Sequence, residues 1–246
     1  RKIFRFLNFS IMESIIAQVR QELITNSNEQ AKKSGERFFR EEVKLYGLKS
    51  ADVVRIGKTW YSSIKDRTKE EIFTLCEDLW KSGFLEEAGI ASNWSYSIRK
   101  KYEPSDILVF EKWITDYVTN WAACDTLCNH TVGTLIEMFP EQIVFLKRWA
   151  LHPGRWVKRA SAVSLIIPAR RGLFRDDIFE IADILLMDPD DMVQKGYGWM
   201  LKAASQADNT DVFNYIMKNK AVMPRTSLRY AIEKMPENLK RLAMAK

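Results

Sequence analysis

Trp121 and Asp125 stand one helical turn apart in the stretch Asn120-Trp121-Ala122-Ala123-Cys124-Asp125, a spacing that projects an indole and a carboxylate from one helix face. Both groups favour positive charge, the carboxylate through its own charge and the indole through the electron-rich face of its ring. An unpaired carboxylate costs several kcal/mol to bury, so this face is expected to be open at Asp125.

The elements that must hold the pair read as helices. Ile15, Ile16, Val19 and Leu23 recur at helical spacing after Met12, Asn26-Ser27-Asn28 interrupts the run, and Gln30 to Leu45 is expected to resume it. Ser50 reads as the cap of a helix through Ile64, Thr68 with Glu71 as a capping box, and Pro104-Ser105-Asp106 as another helix start. No period-two run and no Asn-Gly or Asp-Gly hairpin is present, so the fold class is all-α. Residues 1–11 read as an N-terminal extension that need not be native, and residues 12–246 as a single domain.

The second half repeats. Asp106-Ile107-Leu108-Val109-Phe110, Gln142-Ile143-Val144-Phe145, Asp177-Ile178-Phe179 and Asp211-Val212-Phe213 open similar amphipathic helices at intervals of about 35 residues, the period of a helical-hairpin solenoid. Their partners carry Trp121 to Asp125, Trp156-Val157-Lys158-Arg159-Ala160 and Val193-Gln194-Lys195-Gly196-Tyr197. The pattern predicts a HEAT-like repeat solenoid whose second helices line a concave face. Superposing the units puts Arg159 beside Cys124, next to the level of Asp125, with Lys195 and Trp199 one unit further along.

Charge follows the repeat. The net charge is +6 with a pI near 9.1, which favours an acidic partner such as nucleic acid. Between Gln142 and Arg175 there is no acidic residue, while Lys147, Arg148, Arg155, Lys158, Arg159, Arg170, Arg171 and Arg175 are basic. With Trp149, Trp156 and Trp199 interleaved, this reads as a basic concave groove for a phosphate backbone. Hydrophobic content of 46% and charged content of 28% are those of an ordinary folded chain. No apolar run approaches the roughly 20 residues of a membrane span, and Cys76, Cys124 and Cys128 have no framework spacing, so reduced thiols in a cytoplasmic protein are expected.

Other candidates carry less. Cys124, Cys128 and His130 lack a fourth ligand, so no metal is expected, and His130 and His152 have no evident nucleophile to serve. Asp188-Pro189-Asp190-Asp191 lacks the calcium-loop pattern and reads as a helix cap. Trp60, Trp80 and Trp94 are assigned to packing between repeats, and Pro168, Pro224 and Pro236 to helix ends.

The stretches around Trp121 and Asp125, around Arg159 and around Trp199 resemble, in order and separation, the motif stretches of the AlkD-type alkylpurine DNA glycosylases. Phe38-Phe39-Arg40 through Leu45-Tyr46-Gly47-Leu48 and Leu79-Trp80 are also similar, so the resemblance covers most of residues 12–240. It implies a clamp on double-stranded DNA containing alkylated bases, and hydrolysis of the glycosidic bond of cationic lesions such as 3-methyladenine and 7-methylguanine. Asp125 falls on the family's catalytic carboxylate, Trp121 and Trp199 on its cleft aromatics, and Arg159 on a phosphate-contacting arginine. Lys158, Arg155, Arg148, Lys195 and Lys202 are expected to add DNA contacts. Phe38 stands where the family carries a Tyr and so lacks its hydroxyl. A monomer that needs no cofactor is expected. Two alternatives from other classes stand beside this reading: a HEAT-like DNA-structure binder without excision, and a protein-binding solenoid.

Overall fold

In the computed structural model, the backbone of residues 2–245 and the side chains of residues 14–245 are described. The reading of residues 1–11 as an extension lies outside the described side chains. The chain forms two compact units, Arg1–Tyr102 and Glu103–Lys246, where the sequence reading takes residues 12–246 as one domain. Among the described residues there is no strand, only an isolated bridge between Lys44 and Phe84. No described helix is long and apolar enough to cross a membrane.

The first unit holds α1 (Lys2–Thr25), α2 (Glu29–Glu36), α3 (Ser50–Ile64), α4 (Lys69–Lys81), α5 (Leu85–Ser97) and a 3-10 turn, Arg99–Lys101. Val19, Leu23, Ile56, Ile64, Ile72, Leu75, Trp80 and Trp94 fill its core, each large apolar side chain contributing about 1.5–3 kcal/mol. Trp80 and Trp94 are thus packing residues, as expected, while Trp60 is half-buried and donates from Nε1 to Glu22 at 2.7 Å. The Thr68–Glu71 capping box forms at the start of α4. Ser50 is not a cap: Lys49 takes that position and no side chain closes the helix.

The helix expected over Gln30–Leu45 stops at Glu36, and residues 37–49 run as a loop. A buried carboxylate outcompetes the helix there. Glu86 accepts from the backbone N–H groups of Tyr46, Gly47 and Leu48 at 3.1, 2.8 and 3.2 Å, and Gly47 turns with φ +87°. A Cβ on Gly47 would lie 2.2 Å from the Asn28 carbonyl oxygen, so only glycine fits. Its neighbour Glu87 accepts from Arg20 at 3.0 Å and from the Tyr46 hydroxyl at 2.7 Å.

The second unit bears out the repeat. First helices α6 (Asp106–Tyr117), α9 (Ile143–Ala150), α12 (Arg175–Leu185) and α14 (Asn209–Asn219) alternate with partners. These are α7 (Trp121–Leu127) with α8 (Gly133–Met138), α10 (Arg155–Val163) with α11 (Ile166–Arg170), α13 (Asp191–Ala207) and α15 (Arg225–Ile232); α16 (Glu237–Met244) ends the chain. α10 packs against α7 on one side and α13 on the other, and α13 against α15, which sets the second helices side by side. Pro224 and Pro236 precede α15 and α16, whereas Pro168 sits inside the short α11.

A π-helical turn, Cys128–Val132, joins α7 to α8, starting three residues after Asp125. π-turns of this kind recur near functional sites because they shift the helix face that follows. Here the shift brings Gly133 so close to the next hairpin that a Cβ would lie 2.6 Å from the Ser164 carbonyl oxygen.

Candidate functional site

Asn120 starts α7 by accepting from the Ala123 N–H at 2.9 Å, which fixes where Trp121 and Asp125 emerge. Trp121 is half-buried. Asp125 is not on an open face: it is only 8% exposed, and Arg159 on α10 grips it with both edges of the guanidinium. Nε donates to Oδ1 and Nη2 to Oδ2, each at 2.8 Å, while Nη1 donates to the Met192 carbonyl at 2.6 Å on α13. The expectation of an open carboxylate is therefore corrected. A buried carboxylate is tolerated because a bidentate arginine satisfies it, and the same commitment turns Arg159 inward, 5% exposed, instead of out toward a phosphate.

Burial pushes the Asp125 carboxyl above the usual carboxylate range, against the pull of the Arg159 hydrogen bonds and charge. For Arg159, burial works against the charge, but Asp125 outweighs it, with smaller contributions from Cys124 and Tyr230, and the guanidinium is held above its ordinary value. Cys124 and Cys128 are fully buried beneath the pair, and the Cys124 thiol points to the Trp156 carbonyl at 3.6 Å. Burial, then the contact with Cys128, raises the Cys124 thiol well above its ordinary value, which marks it as a core residue. Among the described residues no cluster of His, Cys, Asp and Glu could hold a metal ion.

Two glycines make the arginine and the neighbouring aromatics fit. At Gly196 a Cβ would lie 3.2 Å from Cγ of Arg159, so the bare backbone of α13 leaves room for the arginine stem. At Gly198 a Cβ would meet the Ser227 carbonyl oxygen and the Tyr230 Cβ, both at 2.8 Å, so α15 lies directly on α13. The Tyr197 hydroxyl bridges the same two helices, 2.6 Å from Ser227 Oγ, and burial pushes it up to about 12. Trp199 follows, half-buried, with the Lys202 ammonium 5.9 Å from its ring centroid.

The basic run is not a set of free cations. Arg148 donates to Glu111 at 2.6 and 2.8 Å, Arg155 to Asp190 at 2.7 Å, Lys158 to Asp188 at 2.5 Å and Arg171 to Glu137 at 2.5 Å. Lys147 pairs with Asp177 and Glu180, Arg175 with Asp211, Lys195 with Asp191 and Lys202 with Glu233. Apart from the local Lys195 pair, the hydrogen-bonded partners lie 30 to 37 residues apart, so each acid serves the base of an adjacent hairpin. Apart from Arg170, the bases of the acid-free stretch form one half of a ladder whose other half lies about one repeat away. Trp149, expected on the surface, is 1% exposed and donates to Glu111 at 2.6 Å.

The structure thus brings Asp125, Arg159 and the start of α13 together, and Trp199, Lys202 and Tyr230 together. It sets Arg148 on the row of first helices, apart from Arg155, Lys158 and Arg159 on α10. Phe38 belongs to the first unit, 75% exposed in the loop after α2. The Asp188–Asp190 segment caps α13, as expected, with Asp190 accepting from the Met192 N–H at 2.9 Å. Sequence reasoning missed the Met192 carbonyl, Gly196, Gly198 and Tyr230. The spacing of the two glycines around Tyr197 was the available signal; Tyr230 had none, because α15 (Arg225–Ile232) does not repeat the stretches by which the other partner helices were matched.

An all-α stack of helical hairpins with a buried carboxylate–arginine pair and half-buried indoles on its second helices defines the class. The chain belongs to the DNA alkylation repair enzyme family, whose model matches residues 19–235. The structure is also similar to that of a predicted DNA alkylation repair enzyme from Enterococcus faecalis, with a TM-score of 0.78 at 11% identity, covering 86% of this chain and 98% of that one. At that identity the likeness is one of fold. No curated protein matches the chain. Family membership assigns it a role in the repair of alkylated DNA.

Proposed function

We propose that the protein is a monofunctional DNA glycosylase that hydrolyses the N-glycosidic bond of cationic alkylated purines, of the 3-methyladenine and 7-methylguanine type, in duplex DNA. The observation that carries the reading is the Asp125–Arg159 pair. A carboxylate has about four lone-pair positions and the arginine fork takes two, so a fixed anion with unused acceptor capacity remains, its side chain still 12% exposed. Alkylation leaves the purine positively charged, which weakens the bond and makes the departing base neutral. The sugar left behind is oxocarbenium-like, and Asp125 stabilises it and orients the attacking water. Trp121 and Trp199 offer ring faces to the cationic base. Little acid catalysis is needed.

Lys158, Arg155 and Lys195 would meet phosphates by exchanging their carboxylate partners for the backbone, which makes binding sensitive to salt. The deciding experiment is release of 3-methyladenine and 7-methylguanine from alkylated duplex DNA. Wild type is expected to release them, and Asp125→Asn to be slower by about 10²-fold; equal rates would refute the catalytic role. The engagement of Arg159 by Asp125 favours one alternative, a DNA binder in which the pair is purely structural. Salt-sensitive DNA binding by wild type without any base release would select it.

A further inference from the structure

The far end of α13 helps to enclose a cavity of about 260 Å³ between two hairpins of the second unit. The end of α11, the first turns of α12 and the start of α14 form its other walls. Ala207, on its lining, lies roughly 20 Å along α13 from Met192 and the Arg159 contact, at about 1.5 Å per residue. The inner lining is apolar: Ala169, Ile178 and Val212 are buried, and Leu173, Phe179 and Ala204 complete it. Phe179 is fixed in place, stacked on Tyr215 with ring centroids 4.9 Å apart. An apolar cavity of about 150 Å³ takes a benzene ring, and drug-sized ligands need roughly 300 Å³ or more, so this chamber suits one ring with a short tail.

The lining also carries Arg175, Asp208 and Asp211. Arg175 donates from Nε to Oδ2 of Asp211, and Asp208 uses Oδ1 alone to accept from the Thr210 and Asp211 N–H groups at 2.8 and 3.0 Å. Oδ2 of Asp208 and Oδ1 of Asp211 therefore have no partner among the described residues. Two carboxylates against one guanidinium leave the lining negative. The partial charges of the α14 N-terminus and the α13 C-terminus oppose each other, and Asp176, accepting from Arg175 at 3.0 Å, offsets the N-terminus of α12. Arg170 and Arg171 precede the turn without lining the cavity, and Arg171 is held by Glu137 at 2.5 Å.

We propose that this cavity is a second ligand site, remote from the Asp125–Arg159 pair, that binds a small primary amine carrying one aromatic ring. The ring fills the apolar chamber and the ammonium donates to the free oxygens of Asp208 and Asp211. A carboxylate on the same ring would meet like charge at those oxygens, and an ammonium without a ring would leave the chamber unfilled. The inference does not rest on the glycosylase reading.

The test titrates isotope-labelled protein with 2-phenylethylamine, 3-phenylpropionate and methylammonium at constant ionic strength and follows backbone amide signals. 2-Phenylethylamine is expected to move those of Gly172, Ala204, Ala207 and Asp208 saturably. 3-Phenylpropionate should bind about tenfold more weakly, since an exposed attraction is exchanged for a repulsion of similar size, and methylammonium should leave the signals in place. Ala207 is exposed, and its Cβ lies 3.7 Å from where a Cβ on Gly172 would stand, so Ala207→Leu fills the space without entering the core and should abolish saturable binding. Asp208→Asn keeps an equivalent cap for α14 while removing the charge, and should weaken the amine by about two- to fivefold, the range of one exposed ion pair. Equal affinity for amine and carboxylate, binding retained by Ala207→Leu, or shifts confined to residues away from the cavity would overturn the proposal.

Discussion

Asp125 and Arg159 illustrate how one side chain's environment is set by another a full repeat away. Removing the arginine would leave a buried, uncompensated carboxylate, so Arg159→Leu is expected to lose about 3–5 kcal/mol of stability in urea unfolding. Under the proposed glycosylase mechanism Asp125 would also set an acid limit on activity. Its folded-state pKa lies above the ordinary value of about 3.9, because burial disfavours the anion more than Arg159 restores it. The proposed catalysis needs the ionised form, so activity is expected above the raised pKa and is expected to be lost as pH falls through it. Base release should therefore show an acid limb at higher pH than an exposed aspartate would give. A limb at or below the ordinary carboxylate value would argue against Asp125 as the acting anion.

Elements position these residues through close approach at glycine. Gly133, reached through the π-turn after α7, sets the distance between its hairpin and the next, and the atom facing it is backbone, which cannot swing aside. Gly133→Ala should lower stability by about 1–3 kcal/mol, seen as an earlier urea midpoint. Gly196 faces the flexible stem of Arg159 instead, so Gly196→Ala should cost less in stability while disturbing the grip on Asp125. In the first unit the anchor is electrostatic. Glu86→Ala should leave the N–H groups of Tyr46, Gly47 and Leu48 without their acceptor and speed their hydrogen exchange relative to α5. Unchanged protection there would mean that the loop after α2 is held by other contacts.

On the scale of the whole molecule, charge is organised by the repeat and not by a one-sided run. Lys158 and Asp188 are partners, so DNA retention at fixed salt should respond with opposite signs: Lys158→Gln weakens it, and Asp188→Asn, which frees the lysine but keeps an acceptor for the Asp190 N–H, strengthens it. Weakening by both would show that the pair acts as structure. By itself the sequence determined the all-α class, the hairpin period, the Trp121–Asp125 face and the register that brings Arg159 to the Asp125 level, because helical spacing and repeat length are local properties. It also carried the family likeness, through Trp121, Asp125, Arg159 and Trp199. Only the tertiary structure decided that Asp125 is gripped instead of open, that the basic run apart from Arg170 is matched by acids about one repeat away, and that the Lys202 ammonium lies near the rings of both Trp199 and Tyr230. Those outcomes depend on which side chains meet between neighbouring helices, and a carboxylate's accessibility is fixed by partners more than 30 residues distant that no local pattern records.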